Sequence, residues 1–229
     1  MATEYAFGKI VTDGLVLSMN FADPNSYTSG SASCRDLSGF GNTGTIENTP
    51  AYDSANGGSL SLNGTTNRVL ITCAANTIRS FDTTCHFVVR LPLYSGGQRC
   101  ILSYRGGGGG NLYIGKSSGG IFTFYDSLNT AGYIVGSIPD NTIAICTVVV
   151  NATAGSISVY INGRLAGTAT GRTGFSTAFN NILYLGFDNG GTAEWMLGNF
   201  YNFMHYNRVL SAQEVLQNYN AQKSRFGLT

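Results

Sequence analysis

A chain of 229 residues with 43% hydrophobic and only 11% charged residues can bury one large core, and its composition excludes a disordered chain. A formal net charge of +1 with no basic run leaves no electrostatic footprint for a phosphate backbone, which excludes nucleic acid as an expected partner. No stretch approaches the roughly 18 consecutive apolar residues of a membrane-spanning helix, so no membrane partner is expected.

In chain order, residues 1–13 form a polar-apolar lead without a turn cluster and read as an N-terminal arm; residues 14–229 read as one domain. Met1 to Tyr5 lacks the basic-then-apolar order of an export signal, so a protein made in the cytoplasm without a signal peptide is expected. Asp13-Gly14 opens a first strand in which Leu15, Leu17, Met19 and Phe21 alternate as its core face. Ala22 to Pro50 is rich in Ser, Gly, Asn and Asp and reads as a long loop held by its own contacts, centred on Asp36 to Asn42. Strands follow at Gly58 to Gly64, Arg68 to Thr72, Phe87 to Leu91, Cys100 to Tyr104, Asn111 to Gly115, Gly120 to Tyr125 and Tyr133 to Val135. Pro92 demotes the residues around it to a sheet edge.

Thr142 to Thr170 is the clearest segment. A β-branched run to Val150 is closed by the turn cluster Asn151 to Gly155. Ile157, Val159 and Ile161 then alternate with Ser158, Tyr160 and Asn162, and Asn162-Gly163 supplies a two-residue hairpin returning through Arg164 to Thr170. This predicts three consecutive antiparallel strands, whose apolar face requires a covering sheet. Two more strands are expected at Ile182 to Gly186 and Gly198 to Tyr206. Ser211-Ala-Gln-Glu214 is a capping box that starts a short amphipathic helix ending near Asn220. Cys34, Cys73, Cys85, Cys100 and Cys146 cannot all pair and match no metal-ligand module, so reduced, partly buried thiols are expected.

Five segments together resemble the concanavalin A-like (laminin-G-like) jelly-roll domain, and more narrowly the version found in virion proteins of tailed phages, cyanophages in particular. They are Lys9 to Leu17, Asp36 to Thr45, Gly57 to Gly64, Val159 to Thr168 and Tyr206 to Asn220. The resemblance implies an all-β sandwich of two packed antiparallel sheets with one short C-terminal helix, spanning residues 14–229, its first strand lying beside the strand before that helix. It also implies a non-enzymatic structural protein of the virion, a capsid decoration protein that contacts capsid or other virion proteins and assembles as a homo-oligomer, by analogy a trimer. In that role the arm, through Tyr5, Phe7 and Lys9, and the tail Ser224 to Thr229 would reach a neighbouring capsid subunit. The alternative is a lectin-like module of a tail fibre or head surface. Where many relatives carry a Trp this chain has Ile143 to Ile145, and where acidic residues are common after Gly64 it has Thr65, Thr66 and Asn67, which weakens the case for calcium there.

No cofactor is expected. A calcium ion would have to draw on Asp36, Asp126 or Asp188, and these acids are sparse. Gly110 to Ser117 matches the phosphate-loop pattern, but a strand occupies the loop position and another strand follows instead of a helix, so the match is fortuitous. The E-x-D-x-x-E strand motif of jelly-roll glucanases is absent, and the nearest acid pairs, Glu47 with Asp53 and Asp188 with Glu194, straddle turn residues. His86 and His205 each sit within a strand, so a triad or zinc site would need distant loops to coincide and none is expected. For glycan binding, the candidate residues are Trp195, Asp188, Asn189 and Tyr184; the competing reading makes Trp195 a strand-end plug.

Overall fold

The computed structural model describes residues 8–74, 82–94, 98–104, 112–117, 121–125, 131–171, 181–188 and 194–229. Strands β1 (Leu15–Asn20), β2 (Ser33–Arg35), β3 (Thr43–Glu47), β4 (Ala51–Asp53), β5 (Ser59–Asn63) and β6 (Arg68–Thr72) come first. They are followed by β7 (Thr83–Arg90), β8 (Gln98–Tyr104), β9 (Leu112–Ser117), β10 (Ile121–Tyr125), β11 (Ala131–Ser137) and β12 (Ile143–Asn151). The last are β13 (Ser156–Ile161), β14 (Arg164–Ala169), β15 (Ile182–Leu185), β16 (Phe187–Asp188), β17 (Glu194–Trp195) and β18 (Leu197–Tyr206), before helix α1 (Ala212–Gln222) and a 3₁₀ turn at Lys223–Phe226.

Two antiparallel sheets form the sandwich. One runs β14-β13-β12-β7-β18-β5-β4 and the other β11-β10-β9-β8-β15-β6-β3-β2. In the first sheet β7 takes one edge of β18, while the other edge is divided between β5, paired with Leu197 to Phe200, and β1, paired with Asn202 to Tyr206. The β13–β14 turn places Asn162 and Gly163 at φ +49° and +75°, the left-handed pair that a two-residue hairpin matched to strand twist requires. The core between the sheets gathers Leu17, Met19, Phe21, Leu60, Leu62, Val69, Ile71, Phe87, Leu183, Leu185, Phe200 and Phe203, all buried.

The centre of the first sheet is covered on its other face as well. Val149, Met204, Tyr206, Leu210 and Val215 form one cluster there, and Val88, Ile145, Tyr201, Tyr219 and Phe226 a second, with α1 supplying Val215 and Tyr219. That is why β7 and β12 read as continuous buried runs rather than as alternating strands. α1 starts where its capping box predicts, with Ser211 Oγ accepting from Glu214 N and Glu214 Oε2 accepting from Ser211 N.

Several expectations are corrected. Ala22 to Pro50 holds two short strands, β2 and β3, whose Ser, Gly and Thr content resembles a loop. β7 stops at Arg90, before Pro92, and lies in the middle of the first sheet. Leu15 leaves the core face, since a register shift between Leu15 and Leu17 turns it towards the outer cluster. The tail Ser224 to Thr229 is docked: Phe226 is buried with its ring 5.2 Å from that of Tyr201, and Thr229 O accepts from Tyr219 Oη at 2.8 Å. Of the arm, Tyr5 and Phe7 lie outside the described residues. Lys9 lies against α1, its carbonyl accepting from Gln217 Nε2 at 2.9 Å, and Val11 N donates to Asn218 Oδ1 at 2.8 Å.

Candidate functional site

The site grows from the end of β15. Leu183 and Leu185 point into the core and Ile182 and Tyr184 outwards, as alternation demands. Gly186 then turns the chain at φ +79°, where a Cβ would meet Leu62 Cδ1 at 2.4 Å, so only glycine fits. Past the turn, β16 and β17 form a two-stranded ribbon against β8, with Phe187 opposite Trp195 and Asp188 opposite Glu194. Ser103 Oγ donates to Phe187 O at 2.9 Å and anchors the ribbon to β8.

Register stacks Phe187 on Trp195, with ring centroids 4.3 Å apart and tilted by 42°, while Tyr184 meets Phe187 edge-on at 5.4 Å. Into this group comes Arg68 from β6. Its guanidinium carbon lies 4.4 Å from the Phe187 centroid, 5.3 Å from that of Tyr184 and 5.8 Å from that of Trp195. Glu47, opposite Arg68 in the β3–β6 register, pairs with Arg68 Nε at 2.6 Å. Tyr184 and Trp195 are half-buried, as are the Arg68 and Glu47 side chains. The result is a ledge of aromatic rings with an ion pair fixed along it. It can take the C–H face of a ring on its π surface and hydrogen-bond hydroxyls or a carboxylate through guanidinium and carboxylate groups.

Of the sequence-predicted glycan residues, the structure brings together Tyr184, Asp188 and Trp195; Asn189 lies outside the described residues. Asp188 is buried, so the charge offered beside the rings is that of Arg68 and Glu47. Those two were missed because Glu47 and Arg68 become neighbours only through the β3–β6 pairing, and β3 was not predicted. Asp188 and Glu194 lie on different strands, as expected, and the ribbon sets them directly opposite one another. Glu194 accepts a hydrogen bond from Tyr113 Oη. Burial, then Cys100, then Glu194 itself push the Tyr113 pKa far up, so this hydroxyl stays a donor.

Other chemistry-bearing groups are committed to the fold. Lys116, the lysine of the phosphate-loop match, is buried in β9 and paired with Asp140 at 2.5 Å. Asp36 accepts from Ser18 N and Ser38 N on one oxygen, and from Ser38 Oγ, Asn42 N and Asn42 Nδ2 on the other. Asp126 lies outside the described residues. Among the described residues no three His, Cys, Asp or Glu side chains come together in a way that could hold a metal ion.

Cys85 and His205 face each other across β7 and β18, Cys85 Sγ lying 3.6 Å from His205 Nδ1. Thr83 Oγ1 donates to Tyr206 O, so it accepts from His205 Nε2–H at 2.8 Å; Nδ1 then accepts from Tyr104 Oη at 2.5 Å. Burial pushes the thiol up to about 12 and the imidazole down to about 3, so both are neutral and no thiolate nucleophile forms.

The sequence profile described as the concanavalin A-like lectin/glucanases superfamily matches residues 62–216. No curated protein matches the chain in sequence. Among solved structures, the receptor-binding domain of a botulinum neurotoxin C/D mosaic serotype superposes with a TM-score of 0.74 at 15% identity, over 93% of this chain and 52% of that one. The botulinum neurotoxin type G receptor-binding domain gives 0.69 at 18% identity, over 94% and 54%. A further match, at 0.72 and 16% identity over 93% and 52%, belongs to work describing cell entry of botulinum neurotoxin type C as dependent upon interaction with two ganglioside molecules. The chain spans about half the length of these domains, and at such identities the likeness is one of fold. With two packed antiparallel sheets, a C-terminal helix and a profile match over most of its length, the chain belongs to the concanavalin A-like lectin/glucanase superfamily.

Proposed function

We propose that the protein is a non-enzymatic glycan-binding module. The observation that carries this reading is the ledge of half-buried Tyr184 and Trp195, backed by buried Phe187, with the Arg68–Glu47 ion pair beside it. Apolar ring surface next to fixed polar groups is what a saccharide needs, since its C–H faces stack and its hydroxyls pair. Ganglioside dependence of a structurally similar toxin supports the same reading. The non-enzymatic part rests on the acids: Asp188 is buried and Glu194 is bound by Tyr113, whereas glycoside hydrolysis needs two carboxyl groups flanking an accessible bond.

Screening the purified protein on a glycan array tests this. Trp195→Ala should weaken the strongest signal on the order of tenfold or more while the protein still melts cooperatively, because the ring lies at the partly exposed surface of the ledge. An array without signal overturns the binding reading. Release of reducing sugar from laminarin, abolished by Glu194→Gln, overturns the non-enzymatic one.

A second reading concerns place. The motif resemblance of Asp36 to Thr45 and Tyr206 to Asn220 to tailed-phage virion jelly rolls supports a position on the particle surface, as a capsid decoration protein assembled as a homo-oligomer, by analogy a trimer. Exposed Leu37, Phe40, Leu93, Leu165 and Leu216 supply apolar surface for such contacts. Adding the protein and a variant lacking residues 1–10 to particles without it tests the arm: equal occupancy overturns its role, and a monomeric mass overturns the oligomer.

A further inference from the structure

The outer face of the first sheet carries a cavity of about 580 Å³ that shares no lining residue with the aromatic ledge. Its floor is a four-residue facet set by the β1–β18 register, Ser18 opposite Met204 and Asn20 opposite Asn202. Gln222 at the end of α1 forms one wall, Lys9 and Ile10 a second, and Leu37 and Ser38 from the loop after β2 a third. The volume lies in the range of roughly 300–1,000 Å³ typical of small-molecule sites.

A chain of hydrogen bonds determines what the floor presents. Asn202 Nδ2 donates to Gln222 Oε1 at 2.6 Å. With its oxygen so engaged, Gln222 turns Nε2 to His86 Nε2 at 3.1 Å and must donate there. His86 therefore carries its proton on Nδ1 and gives it to Thr147 Oγ1 at 2.8 Å. Burial holds His86 neutral, consistent with one acceptor and one donor nitrogen. Every member points the same way, and the last acceptor, Asn202 Oδ1, is left buried without a hydrogen-bond partner. Asn202 is 6% exposed and lines the cavity. A buried carbonyl oxygen without a donor is costly, so a group that brings a donor is favoured there.

The charges narrow the ligand. Asp23 at the rim already accepts from Asn25 N and Nδ2, and Asn20 Oδ1 accepts from Ala22 N and Arg225 Nη1. Lys9 is the cation among the lining residues, which disfavours a second cation. Met204, Leu15, Leu37 and Ile10 provide aliphatic walls. We infer that this cavity is a second ligand site that takes a neutral hydroxylated molecule of mono- or disaccharide size, one hydroxyl donating to Asn202 Oδ1 and its C–H faces lying on Met204 and Leu37.

The test is ¹H–¹³C spectroscopy of the full chain labelled at its methionine methyls, titrated with the methyl glycosides of glucose, galactose, mannose and N-acetylglucosamine. Met204 lines the cavity and Met196 adjoins Trp195, so each reports a different site. At least one glycoside should shift Met204 and leave Met196 in place, and Trp195→Ala should not alter that. Asn202→Leu should weaken the interaction at least tenfold. Because it also strips Gln222 of its donor, Leu37→Trp at the exposed rim serves as the second variant, closing the mouth with no buried contact removed. The proposal is overturned if no glycoside moves Met204, if both variants bind as the parent does, or if a glycoside-soaked crystal shows water alone on Asn202 Oδ1. Shifts confined to Met196 would overturn it while leaving the aromatic ledge intact as the binding site.

Discussion

His86 and His205 are the two histidines of the chain and both are sealed in the first sheet, their pKa values pushed down to about 3 from 6.5 by burial. Between those values the unfolded chain binds more protons than the folded one, so stability is complete above pH 6.5 and falls as the pH drops towards 3. With two such groups the slope approaches about 2.7 kcal/mol per pH unit. Urea midpoints should therefore be flat above neutrality and fall steeply between pH 6 and pH 4; an unchanged midpoint over that window would mean that an imidazole is solvated. Glu214 acts lower. Its hydrogen bond to Arg208 brings its pKa down to about 2 from 4.5, so the stability it contributes is present above pH 4.5 and is lost below it. The thiols follow the same logic of burial. All five are buried, and Cys34, Cys73 and Cys85 are pushed up to about 12. A disulfide-exchange reagent should find no reactive thiol in the native protein at pH 8 and five after denaturation.

At the scale of elements, two substitutions separate local from long-range support. Ser211→Ala removes the cap of α1 and should cost roughly 0.5–2 kcal/mol in a denaturant melt. Gly198→Ala should cost more, above about 2 kcal/mol, because Gly198 sits at φ +133° and a Cβ there would lie 2.2 Å from Arg90 O in the neighbouring strand. An equal loss for both would mean that β18 can shift to make room. The same distinction explains what was legible in the sequence. The β13–β14 hairpin and the capping box are contained within a few residues, and their signals are sufficient. Tyr184, Asp188 and Trp195 could be grouped because they share one short stretch. Arg68 and Glu47 reach the ledge from strands more than a hundred residues away, and β3, with its Thr and Gly, carries too weak a pattern to show that pairing. The Asn202–Gln222–His86 chain was illegible for a further reason: it joins three elements through side chains that each look like ordinary polar residues.

For the molecule as a whole, β18 is the strand on which the first sheet depends, since β1, β5 and β7 all pair with it. Removing residues 198–229 should strip the core of Phe200 and Phe203 and yield an aggregated product; recovery of a soluble fragment with a cooperative melt would show that the remaining strands close without it. The pairing of β1 with β18 also bears on how the chain is made. Translation delivers β1 first and β18 after every other described strand, and β5 and β7 emerge in between with the same missing neighbour. The nascent chain therefore presents three open strand edges to the ribosome surface and to other chains until Tyr206 has left the exit tunnel. Closure of the first sheet waits for β18 and is slow by topology. A force-sensing arrest peptide placed at successive lengths should register one late pull, after α1 has emerged, and an early pull from the N-terminal half would mean that a subset of strands folds ahead of its missing partner.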